Sequence, residues 1–179
     1  PAYFAPGDAE MDLIASVLTG GRNSRLYQRL VYELEIADDV SAFQNSRRLS
    51  SMFMISATAR SGHTLEELET VINEELERLK NEAAEARELD RAKNSFETQF
   101  FEQMEPLLTR ADQLALYDFY TGNPDYFEED LARYRAIDAE DLSRMAERYL
   151  PLDRRVVLSV VPAGSVELAA AESTLVEVD

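Results

Sequence analysis

A chain of 179 residues, 45% of them hydrophobic and 30% charged, can fill one packed core, and no apolar run nears the roughly 20 residues that cross a bilayer. Its 35 acidic against 18 basic residues give a net charge of −17. That disfavours nucleic acid and anionic membranes as partners, because phosphates are held by clustered Lys and Arg. With no cysteine, disulfides and thiolate chemistry are excluded, and the redox compartment stays undetermined.

The cations are nearly all arginine, since Lys80 and Lys93 are the only lysines. Acid in excess with little lysine fits a surface that charge keeps soluble at high salt; base composition in a GC-rich genome is the duller source of the same pattern. The first origin predicts that the midpoint of thermal unfolding rises as KCl is added. A midpoint that does not rise leaves only the second. The opening, PAYFAPGDAEMD, lacks Met and a basic leader, so it shows no signal peptide and reads as a piece of something longer. A soluble protein is expected, with the compartment left open between a bacterial cytoplasm and periplasm.

In chain order, residues 1–7 read as a lead-in punctuated at Pro6-Gly7, with Asp8 placed to cap a helix. Residues Ala9 to Leu18 put Met11, Ile14, Val17 and Leu18 on one helical face. Gly20-Gly21 ends that helix, since glycine tolerates the positive φ of a helix C-terminus. Ser24 then caps a second helix reaching to about Leu34, with Leu26, Leu30 and Leu34 at helical spacing beside Tyr27 and Val31. On spacing alone, Gly20 to Ile36 is a tight helix-turn-helix reversal rather than a binding loop.

From Asp39 to Ala59 the period becomes two, predicting antiparallel strands in DDVSAFQNS and SSMFMISATA. In the second, Phe53, Ile55 and Ala57 share one face and Met52, Met54 and Ser56 the other, with both faces expected to be partly covered. Thr64 and Glu67 fit a capping box before a stripe of Leu65, Leu68, Val71, Ile72, Leu76 and Leu79 that ends near Asn81. The acidic stretch 82–88 reads as a solvated connection or helix start. Helices are predicted from about Glu88 to Met104, with Leu89, Ala92, Phe96 and Phe100 inward, and from Leu107 to Tyr120. Two shorter ones follow over Tyr126 to Arg135 and Ala139 to Tyr149, the last capped by Asp138. Arg154 to Val161, RRVVLSVV, reads as the strongest strand, and residues 164–179 read as a tail or linker after one domain over 1–163. Helices and antiparallel strands without a βαβ rhythm predict an α+β fold with an antiparallel sheet and helices packed on one face.

The segments GGRNSRLYQRLVYELEIADDVSAFQ, SSMFMISATARSGHTLEELETVINEELERL and RRVVLSVVP resemble the second domain of one half of an M16 (insulinase/pitrilysin) zinc metallopeptidase, over roughly Ala9 to Pro162. The Gly20, Gly21, Ser24, Arg25, Leu26, Tyr27 run matches the family's helix-turn motif. The resemblance implies a domain of the M16/LuxS-like metallohydrolase type that forms a wall of a closed peptide-binding chamber and supports a zinc-bearing N-terminal domain. Implied partners are that N-terminal domain, a second M16 half, fused or separate, and a peptide substrate. The family's zinc sits on an H-x-x-E-H helix, whereas His63 is the only histidine here, so no metal is expected in this chain. In active members an Arg and a Tyr, seven apart, stabilise the developing oxyanion. Their positions fall on Val31 and Asp38, neither of which can serve, while Arg25, Tyr27, Arg29 and Tyr32 fall elsewhere and read as packing or surface residues. The departure implies the zinc-carrying half; an inactive scaffold half, of the respiratory-core or processing-partner kind, is the alternative.

Other groupings carry no such chemistry. Glu66, Glu67, Glu69, Glu74, Glu75 and Glu77 read as the solvated face of one helix. Asp112, Asp118, Glu128, Glu129 and Asp130 lack the alternation of an EF-hand. No nucleophile elbow, P-loop or dinucleotide fingerprint is present, and the clustered Phe and Tyr read as core.

Overall fold

Met11, Leu13, Ile14, Val17 and Leu18 place the first helix, α1 (Asp8–Thr19), at the centre of the domain. The burial of Leu13 as well as the predicted face follows from the strand β1 (Ala37–Asn45) and the helices α3 (Ala86–Met104), α5 (Phe127–Ala136) and α6 (Ala139–Tyr149) around it. The computed structural model from which these elements are taken describes residues 1–174. The cap of α1 is Gly7 rather than Asp8: its φ of 99° suits glycine, and its N–H donates to Glu10 Oε2 at 3.1 Å. A Cβ there would stand 3.0 Å from Tyr149 Cε2 and 3.2 Å from Met145 Sδ. Gly7→Ala is therefore expected to lower unfolding free energy by about 1–3 kcal/mol in urea titration. A loss indistinguishable from zero would mean that the cap relaxes freely.

The second helix forms where its leucines predict it, but Tyr27–Glu33 winds as a π-helix, with Leu34 N–H donating to Arg29 O at 3.0 Å. The wider turn holds an extra residue, so the row Leu26, Leu30, Leu34 slips. Leu26 and Leu30 are fully buried, Leu34 is 43% exposed, and Ile36 takes the inward place. Ser24 does not cap through its side chain; its hydroxyl donates to Gly21 O at 2.6 Å and closes the turn. Glu35, with φ of 53°, reverses the chain into β1.

β1 pairs antiparallel with β2 (Met52–Ala59), Val40 opposite Ala57 and Ala42 opposite Ile55, with an irregularity at Asp38. Val40, Ala42, Phe53, Ile55 and Ala57 face the core, as period two requires. The other face is open rather than partly covered: Phe43, Met52 and Met54 are exposed. This is the predicted α+β arrangement, an antiparallel sheet with helices on one face.

The helix α2 (Leu65–Asn81) starts on the predicted capping box. Thr64 Oγ1 accepts from Glu67 N–H at 3.2 Å, and Thr64 N–H donates to Glu67 Oε2 at 2.7 Å. Leu68, Val71, Leu76 and Leu79 pack inward from α2, and Leu89, Ala92 and Phe100 from α3. The helix α4 (Leu107–Thr121) buries only Tyr117 fully. α6 begins at Asp138, whose carboxylate accepts from Asp141 N–H at 2.8 Å.

The strongest predicted strand is the clearest correction: residues 154–161 join no ladder among the described residues. Strand propensity is satisfied only when a sheet edge lies alongside, and here the segment leaves α6 tied to α2 instead. Arg155 pairs with Glu69 at 2.6 Å and bonds Asn73. Of the expected tail, 164–174 folds back, with a 3₁₀ turn at Val166–Leu168 and a buried Ala170, while 175–179 lie outside the described residues. Among the described residues no helix is long and apolar enough to cross a membrane.

Candidate functional site

The Gly20–Tyr27 turn is built to hold the π-helix against its neighbours. Gly20 N–H donates to Ser16 O at 2.6 Å, Gly21 adopts φ of 96°, and Ser24 and Leu26 are fully buried. Tyr27 packs at the margin of the core. Arg25 reaches α3 in a two-pronged contact, Nε and Nη2 donating to the Glu88 carboxylate at 2.9 and 2.8 Å. Burial opposes the ionisation of Glu88, but the Arg25 guanidinium and Glu85 N–H outweigh it and hold the carboxyl below its usual range. Arg29, one turn on, donates to Glu75 at 2.7 Å and to Glu74 at 2.9 Å on α2. Glu75, read from sequence as solvated, and Glu88, at the helix start that is one of the two readings of 82–88, are thus internal counter-charges, and Glu75 is fully buried. Both arginines are consumed inside the domain.

Val31 packs against the core from the π-helix, and Asp38 lies at the irregularity of β1 with Arg60 Nε 3.4 Å from its carboxylate. His63 Nδ1 lies 3.5 Å from Glu67, at the start of α2. No cluster of His, Cys, Asp or Glu able to hold a metal occurs among the described residues. Two hollows, one along α3 around Arg91 and Asn94 and one between Leu34, Ile36 and Glu66, are open to solvent.

The most perturbed charges lie elsewhere, in a group that sequence reasoning missed. Arg133 on α5 donates to Asp8 Oδ2 at 3.0 Å and Asp130 Oδ1 at 2.8 Å. Asp8 also accepts from Phe4 N–H, Gln44 and Ser46, and Asp130 from the Tyr117 hydroxyl at 2.8 Å. Tyr134 donates to Asp12 at 2.7 Å. Burial pushes the Asp12 carboxyl up to about 7 despite that bond, raises Asp130, and pushes the Tyr3 phenol up to about 12. The Arg133 guanidinium on Asp8 and Asp130, with the Tyr134–Asp12 bond beside it and Gln44 on Asp8, locks α5 to α1 and to the end of β1. Each of these carboxylate contacts is internal to the protein, so the group is suited to clamping rather than to turnover. Only pairing across the fold reveals it: Asp8 and Arg133 are far apart in sequence and each looks ordinary alone.

The fold and this site define an α+β domain clamped by internal ion pairs. The chain belongs to the M16 peptidase family: the family model described as the peptidase M16 inactive domain matches residues 3–96. Among solved structures, a protease from Helicobacter pylori superposes with a TM-score of 0.75 at 22% identity, over 84% of this chain and 36% of that one. The inactive peptidase domain of a proposed zinc protease from Bordetella parapertussis gives 0.76 at 24%, over 87% and 84%. A chain of complex III2 from Candida albicans gives 0.70 at 15%, over 82% and 37%. The chain thus spans about a third of the Helicobacter structure and most of the Bordetella domain. No curated protein sequence matches it.

Proposed function

We propose that this chain is the non-zinc-binding C-terminal domain of an M16-type zinc metalloendopeptidase, residues 1–163 forming the domain. In this reading it forms a wall of the peptide-binding chamber and supports the zinc-bearing domain of its own half. The match to the family's inactive domain carries the proposal. Val31 and Asp38, at the positions where active relatives use Arg and Tyr, support placing the chemistry elsewhere, because neither can donate to an oxyanion. The isolated chain is expected to cleave no peptide with or without added zinc, whereas chelator-sensitive turnover by the pure chain would overturn the reading. About one zinc per longer natural polypeptide carrying this sequence, and none in the chain alone, is the expected metal analysis.

The second reading is a scaffold domain of an inactive M16-like subunit, and the likeness to a chain of complex III2 favours it. Absence of zinc from both polypeptides would select that reading.

A further inference from the structure

The helix α4 is held at one end only. Its first turns, from Leu107 to Asp112, are exposed throughout, Leu107 at 81% and Leu108 at 74%. Anchorage begins further on. Tyr117 is the one residue of α4 that is fully buried, and the Tyr120 ring lies 5.1 Å from Tyr3 and 5.8 Å from Phe4. Among the described residues, two side-chain hydrogen bonds join α4 to other helices. Arg110 Nε donates to Met104 O at 2.8 Å, beside the connection from α3, and the Tyr117 hydroxyl donates to Asp130 Oδ2 at 2.8 Å. Only the second reaches α5.

The connections on either side suit a pivot. Pro106 takes an extended ψ of 132° between α3 and α4, and no side chain caps the helix start there. At the other end Gly122 adopts φ of 73°, followed by Asn123 and Pro124 before α5 begins at Phe127. The helical ladders of α3 and α5 are therefore not continuous with that of α4. Nor does the clamp on α5 run through it. Arg133 holds Asp8 and Asp130, and Tyr134 holds Asp12, so α5 stays on α1 when Tyr117 leaves. What Tyr117 leaves behind is a seat lined by Phe4, Tyr126 and Phe127, with ring centroids 5.8, 5.7 and 5.1 Å from its own, and by the Asp130 carboxylate.

We propose that α4 is a strap, opening over Leu107–Thr121 as one unit while α1, α3, α5, α6 and the sheet stay folded, with Tyr117 on Asp130 as its pin. Segments with few buried apolar contacts and many exposed backbone bonds open at a lower free energy than the whole domain. Opening uncovers an aromatic seat that carries one carboxylate and leaves the core closed. The strap is a property of this chain and does not require the peptidase reading.

Native-state hydrogen exchange of the full chain at low urea, resolved by residue, tests it. After correction for intrinsic rates, amides of residues 111–121 are expected to exchange on the order of a hundredfold faster than those of α1. Their rates should barely depend on urea, because a local opening exposes little surface. Tyr117→Phe removes the pin and keeps the ring. Loss of a hydrogen bond to a charged acceptor is expected to speed exchange in α4 by about tenfold to a hundredfold, its urea slope staying small. Amides of α4 that share the protection and the urea slope of α1 would overturn the proposal. So would a folded Tyr117→Phe variant in which exchange of α4 is unchanged.

Discussion

Replacing Arg133 with alanine is expected to cost about 3–5 kcal/mol of unfolding free energy. The guanidinium is 18% exposed and bridges Asp8, which is fully buried, and Asp130. Removing it strands two carboxylates in a site whose remaining donors are neutral: Tyr117, Gln44, Ser46 and the Phe4 amide. The side chain also lies 4.8 Å over the Phe4 ring, so its packing is lost with its charge. Urea unfolding of the variant measures the loss. The triple variant Arg133→Met, Asp8→Asn, Asp130→Asn is expected to recover much of it, because no uncompensated charge remains. A single-variant loss below about 1 kcal/mol would mean that water screens the pair as it screens surface ion pairs.

The fold was legible wherever a local pattern decided the outcome. The boxes at Thr64–Glu67 and Asp138–Asp141 mark helix starts because each satisfies its own backbone donors within one turn. The Phe53, Ile55, Ala57 alternation places the inner face of β2 because the side-chain period is set by the backbone. Patterns that need a distant partner failed. RRVVLSVV has every local property of a strand, but a ladder also requires an edge at the right place, and sequence says nothing of that. The π-winding of Tyr27–Glu33 failed for a related reason. The helical period predicts Leu34 inward, and the extra residue per turn becomes visible only through the Leu34 to Arg29 bond.

The candidate site divides the same way. The Gly20–Tyr27 motif was legible as a turn, yet Arg25 and Arg29 gain their roles only from Glu88 and Glu75 on other helices. A carboxylate in an acid-rich run looks solvated unless its partner is known, which is why Glu75 reads as part of a solvated face and the role of Glu88 as a counter-charge stays hidden. The available signal was weak: Glu75 lies within a turn of Leu76 and Leu79 on α2, close enough to the apolar stripe to turn inward.

Stability is expected to rise as pH falls from about 8 toward 5, and Asp12 is the group that carries the change. Its carboxyl is raised from 3.8 to about 7 in the folded chain, chiefly by burial, so between those values the folded state holds a proton that the unfolded state has lost. The stabilisation is full below the unfolded value, fades as pH climbs through 7, and is absent above it. Every tenfold rise in proton affinity on folding is worth about 1.4 kcal/mol, so a gain of a few kcal/mol is available. Around Asp12 stand Asp8 on its own helix and Tyr134, Asp130 and Arg133 on α5, and the raised Asp130 acts in the same direction. At lower pH the trend reverses, because Glu88 and Asp141 are held below their usual range and lose favourable contacts when protonated. Asp12→Asn, which keeps an acceptor for the Tyr134 hydroxyl, should flatten the slope between pH 5 and 8 while leaving the acid limb in place. Urea midpoints across that range decide the matter: a wild-type midpoint that falls with acidification, or a slope unchanged in Asp12→Asn, would remove Asp12 as the source.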